Sequence, residues 1–320
     1  MSARPGESLW SARNALHLLG LWVVMDALPG VESVKRALAG LLAVLGVVSL
    51  IAIAQVSFCA ELSPLAPVLG RVVMKCHRAH GFYSIYMTLA GVLNLVLLAT
   101  LPWLLEQRSA WRGVAWLVSF VAFALTYVRG AWLGFAAGVA VLVSLARRRR
   151  GVLVGGLVLV GIVLMLLPGV RGRARSIADT NDPTSSERVH LWRSGLAMAR
   201  DHWLTGVGPA QVKRVYPSYA ADEVTHKSRG HLHNTPLQVL VERGVLGFAA
   251  WLAIFATFFW RAGRLLRRVE GDARALVSGA LAAIAGFLIG GLFEHNFGDT
   301  EVLLVALLVM ASVFVVERDG

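Results

Sequence analysis

His231, His233 and Asn234 stand in the stretch HLHNTPLQVLVERGVLGF, residues 231–248, just ahead of a run apolar enough to enter a membrane. Titratable groups at such a border can move protons on a molecule held at the surface. The local pattern predicts a helix start: Thr235 as N-cap, Pro236 at the first helical position, and Gln238 three residues on to complete a capping box. A helix N-terminus disfavours a cationic imidazole and favours anions. His233 is therefore placed to stay neutral and accept a proton beside a site that welcomes phosphate. That setting suits a general base next to a diphosphate, although a lone histidine at a helix N-terminus is more commonly a hydrogen-bonding loop residue. His231 is the alternative base, and it and Asn234 are candidate substrate contacts. Glu242 and Arg243 lie side by side near the membrane entry of the same helix, placed to find partners there or to reach headgroups.

Arginines supply the complementary chemistry. Residues 113–146 form 34 positions whose only charge is Arg129. That is too long for one crossing of a bilayer, so the chain is expected to turn at Arg129-Gly130. A guanidinium at membrane depth is costly unless it lines a cavity or meets an anion. Between Pro168 and Pro236 ten cations face six acids, with five of the nine histidines. Within this stretch TSSERVHLWRSGLAMARDHWLTGVGP reads as a helix, with Thr184 and Glu187 as a capping box and Val189, Trp192, Leu196 and Ala199 as one apolar face. Such a helix would lie along a membrane surface with Arg188 and Arg193 in reach of phosphates, or simply anchored to anionic lipid.

The elements that must position these groups are membrane spans. With 57% hydrophobic and 16% charged residues over 320 positions, the chain is too apolar for a soluble domain, where the charged share is nearer about 25%. Up to nine apolar stretches occur, at roughly 14–30, 38–60, 82–105, 113–128, 131–146, 151–168, 236–261, 275–293 and 301–316. The first carries Asp26 and Pro29 and is short enough to lie in the interface. The formal net charge of +12 does not point to nucleic acid, because the cations cluster at span ends as topology signals. Arg147 to Arg150, and Arg261, Arg264, Arg267, Arg268 and Arg274, mark inner loops; alternation then puts Lys35, Arg36, Arg108, Arg112 and Arg318 inside as well. Outside fall 61–81, the turn at Arg129, the long segment 169–235, and 294–300. In these outer loops Arg71, Lys75, His77 and Arg78, and His295 and Asp299, are secondary candidates for substrate contact. Cys59 and Cys76 border the first outer loop, where an oxidising compartment would let them pair, but they lack motif spacing and are read as inert. No metal motif of the HExxH or CxxC type is present.

His233, Asn234, nine residues, Gly244, two residues and Gly247 reproduce the HNx9GxxG pattern of the bacterial O-antigen ligase and polymerase superfamily. TYVRGAWLGFAAG at 126–138 resembles the family segment in which arginine-glycine opens a transmembrane helix. ERVHLWRSGLAMARDHWLTGVGP at 187–209 resembles its arginine-x3-tryptophan stretch with a closing GxG turn. RAHGFYSIYMTLAG at 78–91 and GLFEHNFGDTEVLLVALL at 291–308 resemble flanking segments, so the resemblance spans roughly 75–316 in the family's order. Family members commonly have more spans than this chain.

The resemblance implies an all-α integral membrane protein, a helical bundle of eight or nine transmembrane helices, GT-C-like, with one large, partly helical periplasmic loop. In those terms 1–168 holds the N-terminal spans, 169–235 the periplasmic loop and 236–320 the C-terminal spans. It implies a metal-independent, inverting glycosyltransferase of the bacterial inner membrane, needing no cofactor, with its site on the periplasmic face. The donor would be an undecaprenyl-diphosphate-linked glycan and the acceptor a hydroxyl, lipid A-core in a ligase. Arg129 and Arg188 would hold the diphosphate, with Arg193 as the alternative to Arg188, and His233 would be the base. A lipid-linked repeat unit would be the acceptor in a polymerase, and protein serine or threonine in an oligosaccharyltransferase. A glycolipid transporter would instead place charged or broken helices at the bilayer midplane, and a non-catalytic partner of a polysaccharide-assembly complex is suggested only by the short length.

Overall fold

Long apolar runs that meet no water must satisfy their backbone groups internally, and this chain does so with helices. The computed structural model describes residues 6, 13–62, 76–107, 109–146, 150–176, 183–220 and 230–320; Arg71, Lys75, Arg108 and Arg147 to Arg149 lie outside them. Among the described residues every regular element is helical. Five helices are long and apolar enough to cross a membrane: Val31–Ser57, Tyr86–Glu106, Thr235–Leu265, Gly271–Gly291 and Thr300–Asp319. A sixth span is present if Val154–Val163 and Pro168–Arg175, which meet at 109°, form one broken crossing. Ala110–Leu125 and Arg129–Leu145 are apolar but shorter, at 16 and 17 residues, or roughly 24–26 Å. Of the eight or nine expected spans, then, five have full crossing length.

The first apolar stretch is a 3-10 segment, Arg13–Leu19, followed by the helix Gly20–Ala27. It runs alongside the 300–319 helix: Gly20 faces Leu304 and Leu307, and the Leu28 carbonyl accepts from Arg318. The 271–291 helix is the hub of the bundle, buried almost continuously from Ala275 to Ile284. Its neighbours are the 86–106 and 129–145 helices, and small residues set the approach. A Cβ at Gly134 would overlap the Gly286 carbonyl, and one at Gly279 the Ala99 carbonyl.

Polar groups gather at the two ends of this apolar body. At one end Asp272 receives Lys35 at 2.7 Å and Gln107 at 2.7 Å, Arg261 pairs with Glu317 at 2.6 Å, and the Val31 amide donates to Asp319. At the other end the Ala79 amide donates to the Leu125 carbonyl, Thr88 donates to Asp299 at 2.5 Å, and Arg188 pairs with Glu294. The stretches expected to share one face of the membrane, from 76–81 through 126–129 and 169–176 to 294–299, meet at this second end.

Cys59 and Cys76 are joined there by a disulfide with a Cα–Cα distance of 5.2 Å, which corrects their reading as inert. Cys59 follows the 31–57 helix and Cys76 lies at the same end of the bundle, so residues 17 apart in sequence are neighbours without any local motif. Closing a loop of that length restricts the unfolded chain by about 3 kcal/mol.

Candidate active site

His233 has a left-handed backbone, with φ of 48°, which is rare for a residue with a Cβ and recurs where a side chain must be aimed. The turn directs its ring to Glu294, whose Oε2 lies 2.8 Å from Nδ1. The other carboxylate oxygen, Oε1, accepts from Arg188 Nη2 at 2.5 Å. Glu294 thus bridges the imidazole and the guanidinium, and it is itself buried. With Nδ1–H donating to the carboxylate, Nε2 is left as the acceptor nitrogen, the tautomer a general base requires. Three distant segments supply this constellation. The sequence reading picked out His295 and Asp299 in the last loop and missed Glu294, whose only local sign was a carboxylate beside that histidine.

The start of the 235–265 helix differs from expectation by one residue. Asn234 is the N-cap, its Oδ1 accepting from the Leu237 amide at 2.9 Å, while its Nδ2 donates to the Leu292 carbonyl. Thr235 is the first helical residue, and its buried hydroxyl donates to the Glu294 carbonyl at 2.9 Å. It cannot cap because it ties the helix to the last loop. Gln238 makes no capping box either; its amide bonds the Leu232 amide and Glu242 at 2.9 and 2.7 Å. Asn234 and Thr235 therefore hold the two sides of the His233–Glu294 pair in register.

The glycines of the motif have a separate role. The 235–265 helix breaks at Gly244, with φ of 63° and ψ of −172°. At the break the Val241 and Glu242 carbonyls accept from the Val207 and Gly208 amides at 2.8 and 3.0 Å, and the Val245 amide donates to the Trp203 carbonyl at 2.8 Å. A Cβ at Gly244 would overlap the Leu204 carbonyl. The GxG turn and the GxxG helix are thus two halves of one backbone interlock, which fixes the helix carrying Arg188 against the helix that follows His233.

That helix spans Pro183–Asp201, so Thr184 falls inside its first turn instead of capping it. Its buried side is Leu191, Ser194, Met198 and Ala199, packed on Val207, Val212, Tyr216 and Leu237. Of the residues expected on one apolar face, Ala199 is buried against the protein while Val189 and Leu196 are 42% and 60% exposed. Arg193 is also exposed. Five residues separate it from Arg188, about 140° around a helix, so the structure brings Arg188 and not Arg193 to Glu294.

Arg129 opens the 129–145 helix after a turn at 126–128, as expected. It is buried at 7% exposure, and its Nη1 donates to the Ser176 carbonyl and hydroxyl at 2.5 and 3.1 Å. Tyr127, before it, is left-handed, and its carbonyl accepts from Arg173. A groove of about 530 Å³ lies alongside, walled by His77, Arg78, Tyr127, Arg173 and Ser176. Gly130 presses on Phe293, the neighbour of Glu294, so the Arg129 turn and the His233 pair share one loop.

His231 and His233 have ring centroids 4.3 Å apart, and His295 is 6.0 Å from His231. Burial, reinforced by His231, Arg243 and His233, pushes the His295 imidazole down to about 3. It is neutral at ordinary pH. Asp299 goes the other way, raised to about 6 by burial and by its hydrogen bond with Glu301.

Several helices long and apolar enough to cross a membrane, with a histidine, a carboxylate and arginines gathered at one end, mark the chain as a multi-pass membrane protein with a polar cluster at one end of its bundle. Residues 113–252 match the family model described as O-antigen ligase, to which this part of the chain is similar. No curated protein matches the chain.

Proposed function

We propose that the chain is a glycosyltransferase that moves a glycan from undecaprenyl diphosphate to a hydroxyl acceptor, lipid A-core in O-antigen ligation. The observation that carries this reading is the Arg188–Glu294–His233 bridge, placed at the end of the bundle where Arg129 and the 530 Å³ groove also lie. His233 Nε2 takes the proton of the acceptor hydroxyl as its oxygen bonds to the anomeric carbon. Glu294 holds the ring and stabilises the imidazolium that forms, as the carboxylate does in a serine–histidine–aspartate triad. On the opposite face of the sugar the bond to the diphosphate breaks, with inversion, and the charge gathering on the leaving group is met by Arg129 and Arg188. The proton leaves with the imidazole and the electron pair with undecaprenyl diphosphate, so no metal step is needed.

This end of the bundle is read as periplasmic. The Cys59–Cys76 disulfide supports that side, because structural disulfides persist in oxidising compartments, and the arginine clusters at the opposite end agree. The eight or nine crossings are part of the same proposal, with the 13–28, 110–125, 129–145 and 150–165 stretches counted beside the five long helices.

The test is a Gram-negative strain lacking its own ligase, read by lipopolysaccharide ladder at matched membrane levels. Wild type restores the ladder, and His233→Ala, Arg129→Ala and Arg188→Ala abolish it. Lengthening of lipid-linked glycan without a ladder would make the chain a polymerase, and glycan on protein an oligosaccharyltransferase.

A further inference from the structure

The 235–265 helix marks where the apolar layer of a membrane begins. Between Arg243 and Arg261 it carries no charge over residues 244–260, which is 17 positions and near the lower limit for a crossing, about 17–25. Arg261 pairs with Glu317 at the end of the bundle opposite His233. The crossing therefore needs the whole run, and its limit at the His233 end falls at the Gly244 break. Down that run Leu246, Ala249, Ala253, Ala256 and Trp260 are all exposed. Spaced three and four apart, they form one stripe that faces lipid.

The exposed apolar surface does not stop at the break. Trp203 and Leu204 lie against it: the Val245 amide donates to the Trp203 carbonyl at 2.8 Å, and a Cβ at Gly244 would overlap the Leu204 carbonyl. The side chains of Trp203, Leu204, Val245 and Leu246 are all exposed, at the level where tryptophan is enriched in membrane proteins.

The helix that leads into Trp203 has a matching face. Val189, Arg193, Leu196 and Arg200 are all exposed, and spacings of four, three and four put them on one side of the 183–201 helix. Leu191, Ser194 and Met198 are buried on the other side. Neither Arg193 nor Arg200 pairs with a carboxylate among the described residues; the adjacent Asp201 accepts from the Tyr219 hydroxyl at 2.8 Å. Aliphatic side chains interleaved with guanidinium groups suit a helix lying in a membrane interface, where the long stems cover apolar surface and the heads meet phosphate. Water would leave Trp203, Leu204 and Leu246 bare beside a stripe already in lipid. An anionic leaflet covers the apolar groups and supplies the missing counter-charges together.

We propose that Val189, Arg193, Leu196 and Arg200, with Trp203 and Leu204, dock the 183–201 helix on anionic lipid of the leaflet at the His233 end, Arg193 and Arg200 pairing with lipid phosphates. The docking depends on the membrane crossing and not on the glycosyltransferase reading. Arg188, tied to Glu294, takes no part in it.

The test uses the full chain carrying Leu196→Cys, labelled there with a small fluorophore, in phosphatidylcholine nanodiscs. The native cysteines are held in their disulfide, so the label enters at 196. A doxyl quencher high on the acyl chain is carried by phosphatidylcholine or by phosphatidylglycerol at equal mole fraction, and iodide probes from water. The doxyl lipids should quench more than iodide, and the anionic one should be enriched at the label by about fivefold over the neutral one, the effect of one basic group near an anionic surface. Arg193→Gln with Arg200→Gln removes that preference but keeps the doxyl quenching, which also shows that the variant folds; Arg193→Lys with Arg200→Lys keeps both. Dominant iodide quenching would place the face in water, and quenching by neither probe would mean that a protein covers it; each overturns the proposal. An anionic preference that survives the glutamine pair overturns it as well, because the two arginines are then not its source.

Discussion

Glu294 serves two groups with opposite needs, since it must hold an imidazole in one tautomer and also tether a guanidinium. Replacing it by Gln keeps the shape and removes the charge. We expect Glu294→Gln to lower the transfer rate by about 10- to 100-fold, the range for losing a partner that orients and tunes a histidine. The pH–rate profile should change together with the rate; a slower enzyme with an unchanged profile would make Glu294 a scaffold only. His295 gives a stability signature. Its folded imidazole is depressed to about 3 from the ordinary 6.5, so the unfolded chain binds a proton there first. Stability from a neutral His295 is complete above pH 6.5 and declines as pH falls below it. His295→Gln should flatten the fall in unfolding temperature between pH 6.5 and 5, and an equally steep fall would remove His295 as its source. Of these residues, Arg129, Arg188 and His233 were legible because the motifs carry them. Glu294 was not, since its partners stand 61 and 106 residues away and a carboxylate next to a histidine has no local pattern.

At the scale of elements, the apolar runs announced the helices, and a lone Arg-Gly pair announced the turn between the 110–125 and 129–145 helices. The ends and faces were harder. Thr235 reads as a good cap, but a neighbouring loop claims its hydroxyl and Asn234 caps instead. The buried face of the 183–201 helix could not be read from its own periodicity because Val189 and Leu196 lie on its exposed side. That placement is natural if lipid, not protein, covers them. Gly244 is the element-level prediction. Gly244→Ala needs a left-handed backbone and puts a methyl into the Leu204 carbonyl, so it should cost at least about 1–3 kcal/mol and lower the unfolding temperature in detergent. A wild-type melting curve for this variant would show that the break at 244 is not needed.

For the whole molecule, two polar ends around an apolar body could be sketched from the charge pattern, but the pairing of ends across long stretches of chain could not. The disulfide is the clearest case. Cys59→Ser with Cys76→Ser should destabilise the protein by about 3 kcal/mol without touching the His233 pair. Non-reducing mobility or thiol labelling before and after reduction shows whether the bond forms in cells; free thiols in membranes prepared without reductant would remove the argument for an oxidising side.

The interlock at Gly244 also limits how the protein can move. The Val207, Gly208 and Val245 amides all bond across one seam, so the 183–201 helix with Arg188 and the part of the 235–265 helix around Gly244 are expected to move as a single leaf. On the proposed function, a doorway for a lipid-linked chain is then expected along the edges of that leaf and not through its middle.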